Sequence, residues 1–278
     1  MARGDRFFFY PTATVYDRPE EHGLRYEAVT FASRDGTSLH GWFFPAVGDA
    51  RGTIVHSHGN AGNITGHYRF VAWLPQRGFN VFCFDYRGFG RSAGHPTREG
   101  AVLDVHAAVD HVRDRPDVAA DRIVLFGQSL GGTLALVAAA GRDDLAGVAV
   151  EGAFATFQSE ARHVCRRTWW LWGVAGLVPR IFISPGCDPI EFVGRMGPIP
   201  KLFICGAADR IVDHRDTVAL HDRAGDPKEL WVLEGGGHTD ALIDDGPDPE
   251  AGRNPQGTAG ANRERFRRFC LGAVDGGR

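Results

Sequence analysis

A serine hydroxyl attacks a carbonyl carbon well only when a general base takes its proton, and the base must itself be held in the right tautomer by an acceptor. Three residues of this sequence have the types and the setting for that work. Ser129 stands in Gly127-Gln128-Ser129-Leu130-Gly131, Asp209 in CGAADRIV, and His238 behind three glycines in GGGH. The glycines two residues either side of Ser129 mark a turn so tight that a Cβ at either flank would clash. Such a turn pushes the serine oxygen out and aims the backbone N–H of Leu130 at an oxygen that becomes negative there. A second oxyanion donor is expected from His58-Gly59-Asn60-Ala61, with the N–H of Asn60 as first choice and Ala61 as the near alternative. Asp213, Asp240 and Asp85 compete with Asp209 for the acid, but Asp213 has the setting of a helix N-cap, and Asp209 follows its strand most directly. His58, ahead of Gly59, suits a structural role in its loop, and His56, His67, His214 and His221 read as ordinary packed or surface histidines.

Such side chains must be carried on loops at the carboxyl ends of strands, so the strands come next. Ile123 to Phe126 is a short apolar run suited to a buried strand, and the Leu- and Ala-rich run from Leu130 to Ala140 suits a helix, which places Ser129 at a strand-to-helix turn. Gly52 to Ser57, Phe79 to Asp85, Leu145 to Val150, Lys201 to Gly206 and Glu229 to Glu234 read as further strands. Tyr26 to Ala32 and Ser38 to Phe44 alternate around the turn signal Arg34-Asp35-Gly36-Thr37 and predict a hairpin. Tyr68 to Arg77 is amphipathic, Arg98 to Arg113 carries valines three or four apart, and helices are expected at Asp213 to Ala224 and Asn262 to Leu271. Strands alternating with helices predict an α/β fold with a mostly parallel sheet covered on both faces. Asp244 to Ala261, rich in Gly, Pro, Asp and Asn, reads as a mobile surface loop.

The 278 residues suit one large domain, spanning 1–278, because no stretch has the composition of a linker. A net charge of -3 gives no pull toward nucleic acid, and the abundance of Arg over Lys suggests a GC-rich genome rather than a binding function. Five cysteines, Cys83, Cys165, Cys187, Cys205 and Cys270, are an odd number without C-x-x-C spacing, so reduced thiols in a cytoplasmic protein are expected, with no disulfide framework and no metal. The apolar patch Phe7 to Tyr10 is shorter than the about 7 to 15 residues of a signal-peptide core. Trp169 to Val178 falls short of the roughly 20 residues of a membrane span, which leaves peripheral membrane contact as the most a bilayer could offer. About fifty residues separate the strands ending at Val150 and beginning at Lys201, well beyond the usual connection of about 2 to 6. A cap insert is therefore expected at 151–200, with Trp170 and Trp172 lining the substrate pocket.

HSHGNAGN, FDYRGFGRSAG, GQSLGG, CGAADRIVD and GGGH, entered through YEAVTFASRDGTSLHGWFFP, together resemble the α/β-hydrolase superfamily, and more narrowly its Bem46-like or ABHD13-like serine hydrolases. The resemblance covers roughly Tyr26 to His238, and the order Ser129, Asp209, His238 is the superfamily's order. It implies a mainly parallel sheet of about eight strands with the second antiparallel. It also implies Ser129 as nucleophile, Asp209 as acid, His238 as base, and Asn60 and Leu130 as oxyanion donors. The expected activity is cofactor-free hydrolysis of a small acyl ester through an acyl-enzyme. The alternatives are removal of acyl groups from protein cysteines and a non-catalytic receptor or interaction role. Two departures stand out: Asp213, where many relatives have Pro, and the long insert after His238.

Overall fold

The computed structural model describes residues 4, 7–167, 175–243 and 259–276. Eight strands form one sheet: β1 (Glu27–Ala32), β2 (Ser38–Phe44), β3 (Gly52–Ser57), β4 (Phe79–Phe84), β5 (Ile123–Gln128), β6 (Gly147–Glu151), β7 (Lys201–Gly206) and β8 (Lys228–Leu233). Their spatial order is β1-β2-β4-β3-β5-β6-β7-β8. β2 pairs antiparallel with both neighbours, and every pairing from β4 to β8 is parallel. Every residue of β3, β4 and β5 is buried, which is why these strands appear in the sequence as unbroken apolar runs rather than as alternation.

Successive side chains of a strand go to opposite faces, and the two halves of the core show it. Leu125 packs with Val55, Phe82 and Val150 on one face, while its neighbours Val124 and Phe126 pack with Ile54, Val81 and Ile204 on the other. The first face is covered by α2 (Arg98–Arg113) and α3 (Leu130–Ala139), and Phe266 and Cys270 of α8 (Ala259–Asp275) cover the second. Each fully buried Leu, Val or Phe in these layers contributes about 1.5 to 3 kcal/mol. α2 begins where Thr97 Oγ1 accepts from the Gly100 N–H at 3.0 Å, and it turns Val105, Val109 and Val112 inward. All ten residues of α3 are buried, so its run of Leu and Ala reflects contact with sheet and α2 at once.

The amphipathic stretch from Tyr68 to Arg77 is a series of short turns. α1 (Ile64–His67) leads into 3-10 turns at Tyr68–Phe70 and Pro75–Arg77, and the buried residues Tyr68, Val71 and Leu74 fall every third position. That spacing suits 3.0 residues per turn, and Pro75, with no N–H to give, starts a new turn. Between β6 and β7 lie α4 (Phe157–Arg167), α5 (Val178–Phe182) and α6 (Pro189–Phe192), and α7 (His214–Arg223) links β7 to β8. Trp170 and Trp172 lie outside the described residues, as does 244–258, most of the Gly- and Pro-rich segment.

The residues before the sheet are built into it. Phe8 and Phe9 are buried, Phe8 edge-on to Phe157 with ring centroids 4.9 Å apart. The chain then runs along the loop after β3: the Tyr10 N–H donates to Asn60 Oδ1 at 3.0 Å, and Asn63 Nδ2 donates to the Thr12 and Thr14 carbonyls at 2.8 Å each. All five cysteines are free thiols, and four of them are buried. No helix among the described residues is long and apolar enough to cross a membrane.

Candidate active site

Ser129 joins β5 to α3 at φ 53° and ψ −122°, a conformation that residues with a Cβ rarely adopt. The surroundings enforce it. The Ser129 N–H donates to the Glu151 carbonyl at 2.8 Å, tying the turn to the end of β6. A Cβ on Gly127 would sit 2.4 Å from the Gly131 carbonyl oxygen, and one on Gly131 would sit 2.0 Å from that of Ser57. Both flanks are backbone against backbone, so neither can relax by moving a side chain. The N–H of Leu130 opens α3 and has no carbonyl one turn earlier in the helix to bond, so it is available at the positive end of the helix dipole.

Asp209 lies three residues past the end of β7 with its side chain 1% exposed. Its Oδ1 accepts from the N–H groups of Ile211 at 2.7 Å and Val212 at 3.0 Å, and Oδ2 is left facing His238 Nδ1 at 2.7 Å. With its Nδ1–H donated there, the His238 ring presents Nε2 as its basic nitrogen. The glycines before His238 allow this approach: Gly206 packs so closely under them that a Cβ on it would be 2.3 Å from both the Gly236 and Gly237 carbonyl oxygens. Gly152, just past β6, runs at φ 62° beneath the ring, where an added Cβ would be 3.2 Å from His238 Cε1.

The competing carboxylates are otherwise engaged. Asp213 caps α7, accepting from the Arg215 N–H at 3.1 Å, Asp240 accepts from the Gly237 N–H at 2.7 Å within the histidine loop, and Asp85 accepts from the Ile64 N–H at 2.8 Å. His58 braces the loop after β3. Its Nδ1–H donates to the Gly59 carbonyl at 2.7 Å, and burial pushes its pKa far enough down that the ring is neutral. The Tyr86 hydroxyl donates to the His58 carbonyl and pairs with Ser57 Oγ, each at 2.7 Å. Asn60 and Gly59 from this loop line one small cavity together with Ser129 and His238.

A polar chain behind Ser129 escaped the reading of the sequence. Glu151 Oε1 accepts from the Ala241 N–H at 2.7 Å, and its Oε2 accepts from Gln128 Nε2 at 2.9 Å. Gln128 Oε1 in turn bonds His56 Nε2 at 3.0 Å. The chain links β3, β5 and β6 to the loop that carries His238. Burial raises the Glu151 carboxyl to about 7, although both of its hydrogen bonds pull the other way. The signal in the sequence was an acidic residue directly after the apolar run ending at Val150.

On the other side of Ser129 opens a cavity of about 550 Å³, within the range of small-molecule sites. Phe8, Leu130, Phe154, Val164, Val178, Phe182 and Val212 give it an apolar wall. α4 and α5, from the segment between β6 and β7, supply much of that wall.

An elbow serine after β5 of a sheet ordered this way, with β2 antiparallel, defines an α/β-hydrolase. The profile of the family described as serine aminopeptidase, S33 matches residues 48–194, and the chain belongs to that family of hydrolases, as a Bem46-like member of the α/β-hydrolases. It is 37% identical over 244 residues to the uncharacterized protein YfhR of Escherichia coli O157:H7, covering 86% of this chain and 81% of that one. It is 26% identical over 244 residues to protein bem46 of Schizosaccharomyces pombe, covering 82% and 76%. The Pyrococcus furiosus esterase Pf2001 superposes with a TM-score of 0.72 at 18% identity, over 96% of this chain and 97% of that one, a likeness of fold.

Proposed function

We propose that this hydrolase cleaves small carboxylic esters through a covalent acyl-enzyme. The observation that carries the reading is the 2.7 Å contact between Asp209 Oδ2 and His238 Nδ1, made beside a serine held in a strained turn. His238 Nε2 takes the proton of Ser129 as its oxygen bonds the acyl carbon, and the negative charge moves to the carbonyl oxygen. The N–H groups of Leu130 and Asn60 stabilise that charge. The tetrahedral intermediate collapses as His238 gives the proton to the departing alcohol oxygen. Water, deprotonated by His238, then attacks the acyl-enzyme, and Ser129 leaves with the proton returned. Asp209 keeps the Nδ1 proton in place and stabilises the imidazolium at each step. The segment 151–200 serves as a cap whose α4 and α5 wall the acyl pocket.

The test combines labelling by a fluorophosphonate probe with turnover of p-nitrophenyl butyrate. Wild type should be labelled and active, and Ser129→Ala should be unlabelled and inactive while remaining folded by circular dichroism. Wild-type turnover in the Ser129→Ala protein would sink the mechanism. Aminoacyl p-nitroanilides, the bond type in the family's description, and a palmitoylated cysteine peptide complete the panel. Faster cleavage of either would move the assignment to amides or thioesters.

A further inference from the structure

Among the described residues, the wall of the large cavity contains one carboxyl group, which the mechanism above does not use. Glu160 lies on α4, one turn before Val164, and Ala161, Val164 and Cys165 share its face toward the cavity. It is 9% exposed, and its Oε2 has no hydrogen-bond partner among the described residues. Native proteins leave few buried polar atoms in this state, and a Leu at this point would complete the apolar wall at no such cost. The geometry points to Glu160 as the recognition group of the acyl pocket, hydrogen-bonding a neutral hydroxyl on the substrate chain, so that the preferred substrates are hydroxylated acyl esters. This inference rests on the ester-cleaving reading and names its substrate class.

The protonation of Glu160 selects the hydroxyl. Burial first, then the negative charges of Asp216 and Asp209, raise its carboxyl to about 8, with Arg167 opposing. At neutral pH the group is therefore mainly a carboxylic acid, which offers an O–H donor and a C=O acceptor. A hydroxyl complements both without separating charge. An ammonium group would require Glu160 to ionise, which burial and two carboxylates oppose, and would have to lose its water against Phe154, Val164 and Phe182.

The test compares methyl octanoate with methyl 6-hydroxyoctanoate, methyl 8-hydroxyoctanoate and methyl 8-ammonio-octanoate, followed at pH 7 by acid release. In wild type, one hydroxylated ester should exceed methyl octanoate in kcat/KM by about three- to ten-fold, the worth of one neutral hydrogen bond. Glu160→Leu should reverse that ratio, and Glu160→Gln, which still donates and accepts, should keep it above one. Calorimetric binding of the same esters to the Ser129→Ala protein should show the same order without turnover. A preference in that binding with no hydrolysis by wild type would refute ester cleavage and leave the role of Glu160 standing. Preference for the plain or the ammonium ester, or a ratio unchanged in Glu160→Leu, would overturn the role of Glu160.

Discussion

Replacing Glu151 with Gln isolates the electrostatics of the chain behind Ser129. The carboxyl has an ordinary value of 4.5 and is raised by burial to about 7. Because the folded state holds this proton more tightly than the unfolded chain does, the associated stability is complete below pH 4.5. It drains away as pH rises through 7 and is then constant. A rise of this size corresponds to about 3 kcal/mol. Glu151→Gln removes the titration but not the volume. The new amide can still accept from the Ala241 N–H, while its NH₂ meets the Gln128 NH₂ that now donates at 2.9 Å, so Gln128 must turn over and present its oxygen. That rearrangement puts at risk one hydrogen bond, about 1 kcal/mol. The variant should therefore be slightly less stable than wild type near pH 5 and about 2 kcal/mol more stable at pH 8. Urea denaturation at four pH values between 5 and 8 measures the crossing. Parallel curves for the two proteins would mean that Glu151 is ionised throughout, and the reasoning from burial would be wrong.

Asp209→Asn should lower kcat by up to about 10⁴-fold, going by the serine-protease template, because the amide favours the wrong imidazole tautomer. Asp213→Asn should change ester turnover far less, since that carboxylate caps a helix. Gly131→Val should prevent folding altogether, as judged by soluble yield and circular dichroism, because its Cβ would meet backbone oxygens at 2.0 Å and 2.3 Å. Asp104→Ala should cost roughly 1.5 to 3 kcal/mol in urea denaturation, since Asp104 is fully buried and its loss takes the acceptor from the Arg87 N–H and one of the two carboxylates from its guanidinium, leaving Asp35 at 2.7 Å to hold the charge.

The central strands were legible because burial on both faces writes itself as a continuous apolar run, and β3 and β7 have the bounds read from Gly52 to Ser57 and Lys201 to Gly206. The elbow was legible for a similar reason, since only glycine fits where Gly127 and Gly131 meet backbone. What stayed hidden depends on partners distant in sequence. His56, Gln128 and Glu151 belong to three neighbouring strands, and only the sheet's register brings them into one chain. Glu160 sits among Gln, Arg and His in a helix that reads as solvated, and the Ala161, Val164 and Cys165 stripe beside it was the available clue. The stretch from Tyr68 to Arg77 showed its amphipathic character but not its 3-10 geometry, because a three-residue repeat of buried side chains differs from a helical one by less than one residue per turn.

The arm formed by residues 8 to 16 also has a bearing on how the protein is made. A ribosome delivers this arm before any strand it rests on, and its ring contacts with Phe154 and Phe157 wait for about 140 more residues to emerge. Until then Phe8 and Phe9 have no native core to enter, and the loop bearing Asn60 lacks its bond to Tyr10. Closing so long a segment is slow compared with local helix formation, so the mouth of the pocket belongs among the late events of folding. Phe7, Phe8 and Tyr10 line the cavity, so the pocket that receives the acyl chain is completed by a segment made first and seated last.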